Sequence, residues 1–376
     1  MNKSKTLLIF FLLPIIAFSQ KTEINFSLVD SLAITVKYKK DLTALTQELT
    51  SPYSEQLLKA RAIFKWITEN IAYDYKYYNK YYYKGKEPET YKCKEEENCE
   101  AKRMAWEIRY IDKVLRKKKA VCQGYAMLFR KMCDIAGLKS ELITGYVRTE
   151  HYQVGTVGKL DHAWNAVWLD SAYYLLDATW AAGGCGKDDD GKLLNFTKNF
   201  NDYYWLTPAA NFARNHFPQN NRWVLLTNYT KDNFAANAYY LSSVIKNIKL
   251  IAPASGIINA KKGDTLRFKI DYNGSFKELQ INSNLFRNPD IWVWDEISKH
   301  KRVRRLDTVA VKKQQYINYK RDGSIYEFEY VVPDNALYYL EIIFDRQRVM
   351  RFKVVTNTVN LSTTPNRSFV KVGLKC

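Results

Sequence analysis

Outside its first nineteen residues the chain lacks any apolar stretch approaching membrane-spanning length, which argues against a helical membrane protein. No cysteine follows that amino-terminal run, so a lipid-anchored lipoprotein is not expected. Internal repeats are absent, and no nucleic-acid-binding module is recognisable. Acidic residues are in deficit: 39 Asp and Glu face 58 Lys and Arg, for a formal charge of +19. Such a surface favours acidic partners, namely anionic cell-surface polymers or lipids, while nucleic acid is set aside because the chain carries an export signal. Cysteines number six. Cys93 and Cys99 are spaced for a local disulfide in an oxidising compartment, whereas a metal site would need two further ligands that the segment does not offer. Neither a metal nor a cofactor is expected.

What is present begins with a leader. Lys3 and Lys5 precede an apolar run from Leu7 to Phe18, and Ala17-Phe18-Ser19 stands before Gln20. Residues 1–19 therefore fit a secretory signal peptide, which makes the expected protein secreted or periplasmic, with no transmembrane anchor.

The chain is organised around Ala120-Val121-Cys122-Gln123-Gly124-Tyr125-Ala126, which opens a helical pattern running to Gly137. Cys122, Ala126, Phe129, Met132, Cys133 and Ala136 fall on one stripe, and Gly137 is a natural stop. Cys122 thus lies in the first turn of a core-facing helix, where unpaired N–H groups and the positive dipole end stabilise negative charge on sulfur. A cysteine at such a position is more often a small buried hydrophobe. A second segment changes that reading.

Asp161-His162-Ala163-Trp164-Asn165-Ala166-Val167-Trp168-Leu169 and Ala172 to Trp180 flank Asp170-Ser171 and read as a β-hairpin. With a two-residue loop, Leu169 opposes Ala172 and His162 opposes Thr179. Asp177 then lies on the diagonal from His162 on the same face, with Cα atoms roughly 7 to 8 Å apart. A one-residue change of loop length would put the two on opposite faces. Cys122, His162 and Asp177 are the set that nucleophilic acyl transfer needs: nucleophile, general base and later acid, and orienting carboxylate.

Here the sequence resembles the transglutaminase-like superfamily, a papain-like cysteine fold, in its bacterial and kyphoscoliosis-peptidase-like branch. The resemblance rests on Val-Cys-Gln-Gly-Tyr-Ala, Asp-His-Ala-Trp-Asn-Ala-Val and Tyr-Tyr-Leu-Leu-Asp-Ala-Thr-Trp, in that order. Flanking matches run from Ala60 to Ile67 and Asn70 to Asp74, then at Gly145-Tyr146-Val147-Arg148, His216-Phe217-Pro218 and Trp223 to Leu226. It covers roughly residues 50 to 230. It implies Cys122 as nucleophile, His162 as base and Asp177 as orienter, and gives His216 no catalytic role. In animal transglutaminases tryptophan follows the nucleophile and another upstream helps stabilise the oxyanion. Here Gln123 follows, and Tyr73 is the nearest upstream candidate. The Cys122 N–H is expected as one oxyanion donor, and the second is unassigned.

The expected fold is α+β: a transglutaminase-like core with the nucleophile helix on an antiparallel sheet, then a carboxy-terminal all-β sandwich. Residues 20–50 read as an N-terminal strand or arm. Residues 51–245 form the catalytic domain, opened by a helix from Tyr53 to Tyr73 with Ser54 as its cap. In that helix Trp66 and Tyr73 read as core packing, with the lining of the active-site side as the alternative. An insertion loop lies at about 75–100, rich in tyrosine and lysine, and Ala101 to Arg116 is helical. Residues 246–356 alternate in short runs, among them Thr265 to Asp271, Ile291 to Trp294 and Tyr338 to Phe344, and 357–376 form a tail. Cys133 reads as inert core, Cys185 as free or paired with Cys376, and His151 as a surface histidine. Asp188-Asp189-Asp190-Gly191 lacks the alternating spacing of a calcium loop.

Two functional readings of different class follow. In one, an exported thiol enzyme acts on protein or peptide amide bonds through an acyl-thioester, as a peptidase or amidase in preference to a protein-glutamine transglutaminase, which stands as the alternative. Cell-envelope peptide is one substrate class. In the other, the site is vestigial and the module binds or scaffolds. The intact Cys, His and Asp favour the first.

Overall fold

A computed structural model describes residues 24–356, apart from 87, 95–96 and 299–300. The expected leader, the tail and any pairing of Cys185 with Cys376 lie outside the described residues. The segment expected as a strand or arm is instead two helices, Ser27–Thr35 and Leu42–Thr50. Val29, Ala33 and Val36 are buried at helical spacing, so the alternation beginning at Ala33 is the end of a helical stripe. Asp41 caps the second helix, accepting from the Ala44 N–H at 3.0 Å.

The next helix, Gln56–Asn70, starts after Glu55, so Ser54 is not its cap and Tyr73 lies beyond its end. It buries Ala60, Ile63, Phe64 and Ile67, and Trp66 is core, donating from Nε1 to the Val36 carbonyl at 3.0 Å. Buried Arg61 on this helix holds Asp30 at 2.7 Å and Asp202 at 2.5 Å, tying the amino-terminal helices to the far side of the site. The tyrosine-lysine stretch is not a plain loop: a helical turn Tyr75–Tyr78 runs into a π-helical turn Asn79–Tyr83. The expected disulfide Cys93–Cys99 is formed, with Cα atoms 5.5 Å apart. A long helix, Cys99–Lys117, follows and ends at Lys118 with φ 50.

Lys119–Ala120 pairs in parallel with Ala72–Tyr73 and delivers the chain to the helix Cys122–Ile135. Gly137 stops that helix with φ +71, as its position predicts. The helix packs on an antiparallel sheet in the order Ala172–Leu176, Leu160–Leu169, Ser140–Val147, His216–Pro218. Asn165 fastens helix to sheet, donating to the Ala126 carbonyl at 3.0 Å. The hairpin has the expected loop: Leu169 faces Ala172, and Asp170 and Ser171 take φ 47 and 84, the mirror-image turn that suits strand twist. Its far end departs from expectation. The strand stops at Leu176 and Asp177 caps a short helix, Ala178–Ala182, so His162 faces Gly145 and not Thr179.

The carboxy-terminal region is two facing sheets, four-stranded and five-stranded, around Phe268, Ile270, Tyr326, Leu340 and Phe352. Tyr239–Tyr240 adds to the edge of strand Gln347–Val355, so the connection between the halves is itself sheet. The run at Ile291 to Trp294 belongs to neither sheet; Trp292–Ser298 and Lys301–Leu306 form a separate hairpin. No helix among the described residues is long and apolar enough to cross a membrane.

Candidate active site

The structure brings the three sequence-designated residues together. Cys122 is the first residue of its helix, 5% exposed, with Sγ 3.8 Å from the Asp161 carbonyl. In that position its N–H is among the first four of the helix, which have no acceptor within it. His162 Nε2 lies 2.8 Å from Asp177 Oδ2, and the Cys122 sulfur is near enough to the ring to favour its protonated form. Asp177 is fully buried, and its position as a helix cap accounts for its other oxygen: Oδ1 accepts from the N–H groups of Thr179 at 2.8 Å and Trp180 at 3.2 Å. A carboxylate held this way has no rotational freedom to leave the histidine.

His216 completes the group, and the resemblance assigned it no role. It is not in a loop but in the strand His216–Pro218, paired with Ser140–Val147, and its Nε2 lies 3.1 Å from the same Asp177 Oδ2. Its Nδ1 meets the side-chain amide of Asn215 at 2.6 Å, and Asn215 continues to the Tyr204 hydroxyl at 3.2 Å. Phe212 stacks on the ring with centroids 4.0 Å apart.

The charges follow from this packing. Burial works against a proton on His162, but the Asp177 carboxylate and the Cys122 sulfur outweigh it, and the ring is raised to about 10. Burial likewise works against charge on Asp177, and His162 and His216 reverse it, holding the carboxyl well below its usual range. His216 goes the other way: burial dominates over Asp177 and lowers it to about 4, which favours the neutral ring. His162, Asp177 and His216 also present donor atoms within 4.8 Å of one another, a spacing that could hold a metal ion. Here both ring nitrogens are engaged with one carboxylate oxygen, and an ion would have to displace both hydrogen bonds.

Gly145 faces His162 across the sheet because nothing larger fits: a Cβ there would stand 2.2 Å from the Trp164 ring and 2.4 Å from the Phe217 carbonyl. Tyrosines wall the cleft. Tyr73 lies beside Cys122, and burial together with the cysteine's charge raises its phenol well above the ordinary value. Tyr78 and Tyr82 stack 5.5 Å apart, and both are raised by burial with contributions from Cys122 and Asp161. Asp161 is itself raised by burial. Sequence reasoning named Tyr73 but missed Tyr78 and Tyr82, because the helical and π-helical turns that carry them were read as a loop.

The remaining singled-out residues lie elsewhere. Cys133 is fully buried with its thiol pushed far up, as inert core should be, and burial raises Cys185 to about 11. His151 is not a surface residue. It is half-buried against Tyr239, 3.9 Å from Glu341 of the carboxy-terminal sheet, a carboxylate too distant in sequence to anticipate.

Comparison with known proteins places this geometry. A transglutaminase-like domain model matches residues 40–182. The kyphoscoliosis peptidase of Mus musculus is 32% identical over 242 residues, which are 63% of this chain and 32% of the mouse protein. That of Homo sapiens is 32% identical over 243 residues, 64% of this chain and 33% of the human protein. The chain thus spans about a third of the length of these curated relatives. A crystal structure of a TGase is 16% identical, covering 45% of this chain and 37% of its own, with a TM-score of 0.26. This chain carries a transglutaminase-like domain.

Proposed function

We propose that the protein is an exported thiol enzyme that cleaves amide bonds in protein or peptide substrates through an acyl-thioester on Cys122. The observation that carries this reading is His162, held by Asp177 at 2.8 Å with the Cys122 sulfur acting on the same ring. With Nε2–H donated to Asp177, Nδ1 is the nitrogen that holds the proton taken from the thiol, in keeping with the raised ring. Sulfur then attacks the amide carbonyl, and the Cys122 N–H, with the protonated Tyr73 hydroxyl as second donor, stabilises the oxyanion. The imidazolium, stabilised by Asp177, protonates the leaving amine. Water deprotonated by His162 next attacks the thioester, releasing the acid and restoring the thiol.

Hydrolysis rather than amine transfer is favoured by Gln123, which stands where animal transglutaminases carry tryptophan. Export is supported by the leader in residues 1–19 and by the Cys93–Cys99 disulfide. The basic surface suits an anionic cell surface, where envelope peptides are at hand.

Iodoacetamide labelling with site mapping across pH tests the reading, using wild type, His162→Ala and Asp177→Asn. Labelling of Cys122 well below pH 8.5, the region of a free thiol, and its loss in His162→Ala, are expected. Equal labelling with and without His162 sinks the proposal. Peptide substrates offered with a primary amine then separate hydrolysis from acyl transfer by product mass.

A further inference from the structure

The tyrosine-lysine segment has a side that the chemistry at Cys122 does not use. Tyr78 and Tyr82 border Cys122, whereas Tyr77 and Tyr81, tilted rings with centroids 4.3 Å apart, line a separate cavity of about 630 Å³. The cavity opens between this segment, the helix Cys99–Lys117 and the strand residues that lead into Cys122. Lys76, Lys80, Lys113, Lys117 and Lys119 surround it. These are 5 of its 12 lining residues, against 58 Lys and Arg in 376 for the whole chain, so the cluster exceeds what a basic composition alone supplies.

Little of this charge is answered from within. Asp74 is the single carboxylate among the described lining residues, and its Oδ1 already accepts from the Tyr77 N–H at 3.0 Å. Glu89 pairs with Lys113. Lysines around one concave, partly apolar wall, most of them without a carboxylate partner, focus a positive potential into the space they line. Lysine stems reach and rotate, so they suit an anion with several charged groups rather than one planar carboxylate, for which arginine is the better match. The volume is that of a small-molecule site.

We infer that this cavity binds a small anion bearing several phosphate or carboxylate groups, at a site distinct from the thiol chemistry. Its occupant would bridge the Cys99–Lys117 helix, the tyrosine segment and the strand leading into the nucleophile. The inference does not rest on the proposed activity, because binding is read without turnover.

Isothermal titration of the mature protein with sodium tripolyphosphate and, separately, citrate tests it. The buffer should hold about 150 mM salt, where the screening length is about 8 Å and loose surface association is suppressed. One saturable site per chain is expected, weakened at least about tenfold in Lys80→Gln/Lys117→Gln. It should be unchanged in the control Lys261→Gln/Lys262→Gln, two exposed lysines of the carboxy-terminal sheets. Binding of tripolyphosphate alone assigns phosphate, of citrate alone carboxylate, and of both a site that reads charge; each supports the inference. Absence of saturable binding by either anion, or equal weakening in the control, overturns it.

Discussion

Asp177 serves two histidines through one oxygen, and the two respond to burial in opposite ways. His162 keeps its proton because it has both Asp177 and Cys122, while His216, packed on Phe212 and Trp180, does not. This gives a pH dependence with a definite sign. Between pH 6.5 and 4, His162 is protonated in both folded and unfolded chains and Asp177 is ionised in the folded one. His216 is different: its folded value of about 4 lies below its ordinary 6.5, so only the unfolded chain takes up its proton there. Its contribution to stability is therefore present above 6.5 and is lost as pH falls toward 4. The expected loss is on the order of 3 kcal/mol. Denaturant titrations at pH 7 and 4.5 on wild type and His216→Asn check it. His151, also lowered to about 4, contributes equally to both proteins and cancels. Parallel pH profiles for the two would show that His216 is not the buried neutral base described here.

At the scale of elements, the site depends on how closely two strands and a ring can approach. Gly145 sits where Trp164 crosses the sheet and where the His216 strand pairs, and its place cannot be taken by a residue with a Cβ without moving backbone. Gly145→Ala should cost about 3 kcal/mol, seen as a lowered thermal midpoint, and should shift His162 relative to Cys122 enough to abolish low-pH labelling. An unshifted midpoint would mean that the strands have slack that the structure does not show. The nucleophile helix was legible residue by residue, from the Cys122 stripe to Gly137, because helix period and stop signals are local. So was the Asp170-Ser171 turn. The two amino-terminal helices were not, since nine-residue segments carry weak periodicity and form through packing on the helix Gln56–Asn70.

Across the whole molecule, the halves are joined by buried charge and shared sheet. Arg148 leaves the catalytic sheet and donates to the carbonyls of Phe234 at 2.7 Å, Ala235 at 3.1 Å and Asn237 at 2.8 Å, its guanidinium lying over the Phe234 ring. It thereby binds the carboxyl end of the helix Lys231–Ala236, where the Ala235 carbonyl also accepts from the Gly155 N–H at 2.8 Å and the Phe234 carbonyl from the Asn237 N–H at 3.2 Å. Arg148→Leu should destabilise by roughly 2 to 4 kcal/mol, because three hydrogen bonds from a charged donor to backbone carbonyls are lost together. Limited proteolysis should then cut within residues 227–238 at a protease concentration that leaves the wild type whole. Persistence of the uncut chain would assign the junction to the Tyr239–Tyr240 pairing and the Glu341 cluster instead. There Arg348 at 2.8 Å and Arg351 at 3.0 Å meet a carboxylate only 3% exposed.

The sequence by itself determined which residues could do chemistry. A cysteine at a helix start, and a histidine on a hairpin of known loop length with an aspartate at the end of its second strand, follow from periods of 3.6 and 2 that any reader of the chain can count. Only the tertiary structure decided how that chemistry is surrounded. His216 stands 39 residues from Asp177, and the lysines of the second cavity come from two segments separated by a disulfide loop. Contacts of that kind arise from packing between elements, which no local repeat encodes.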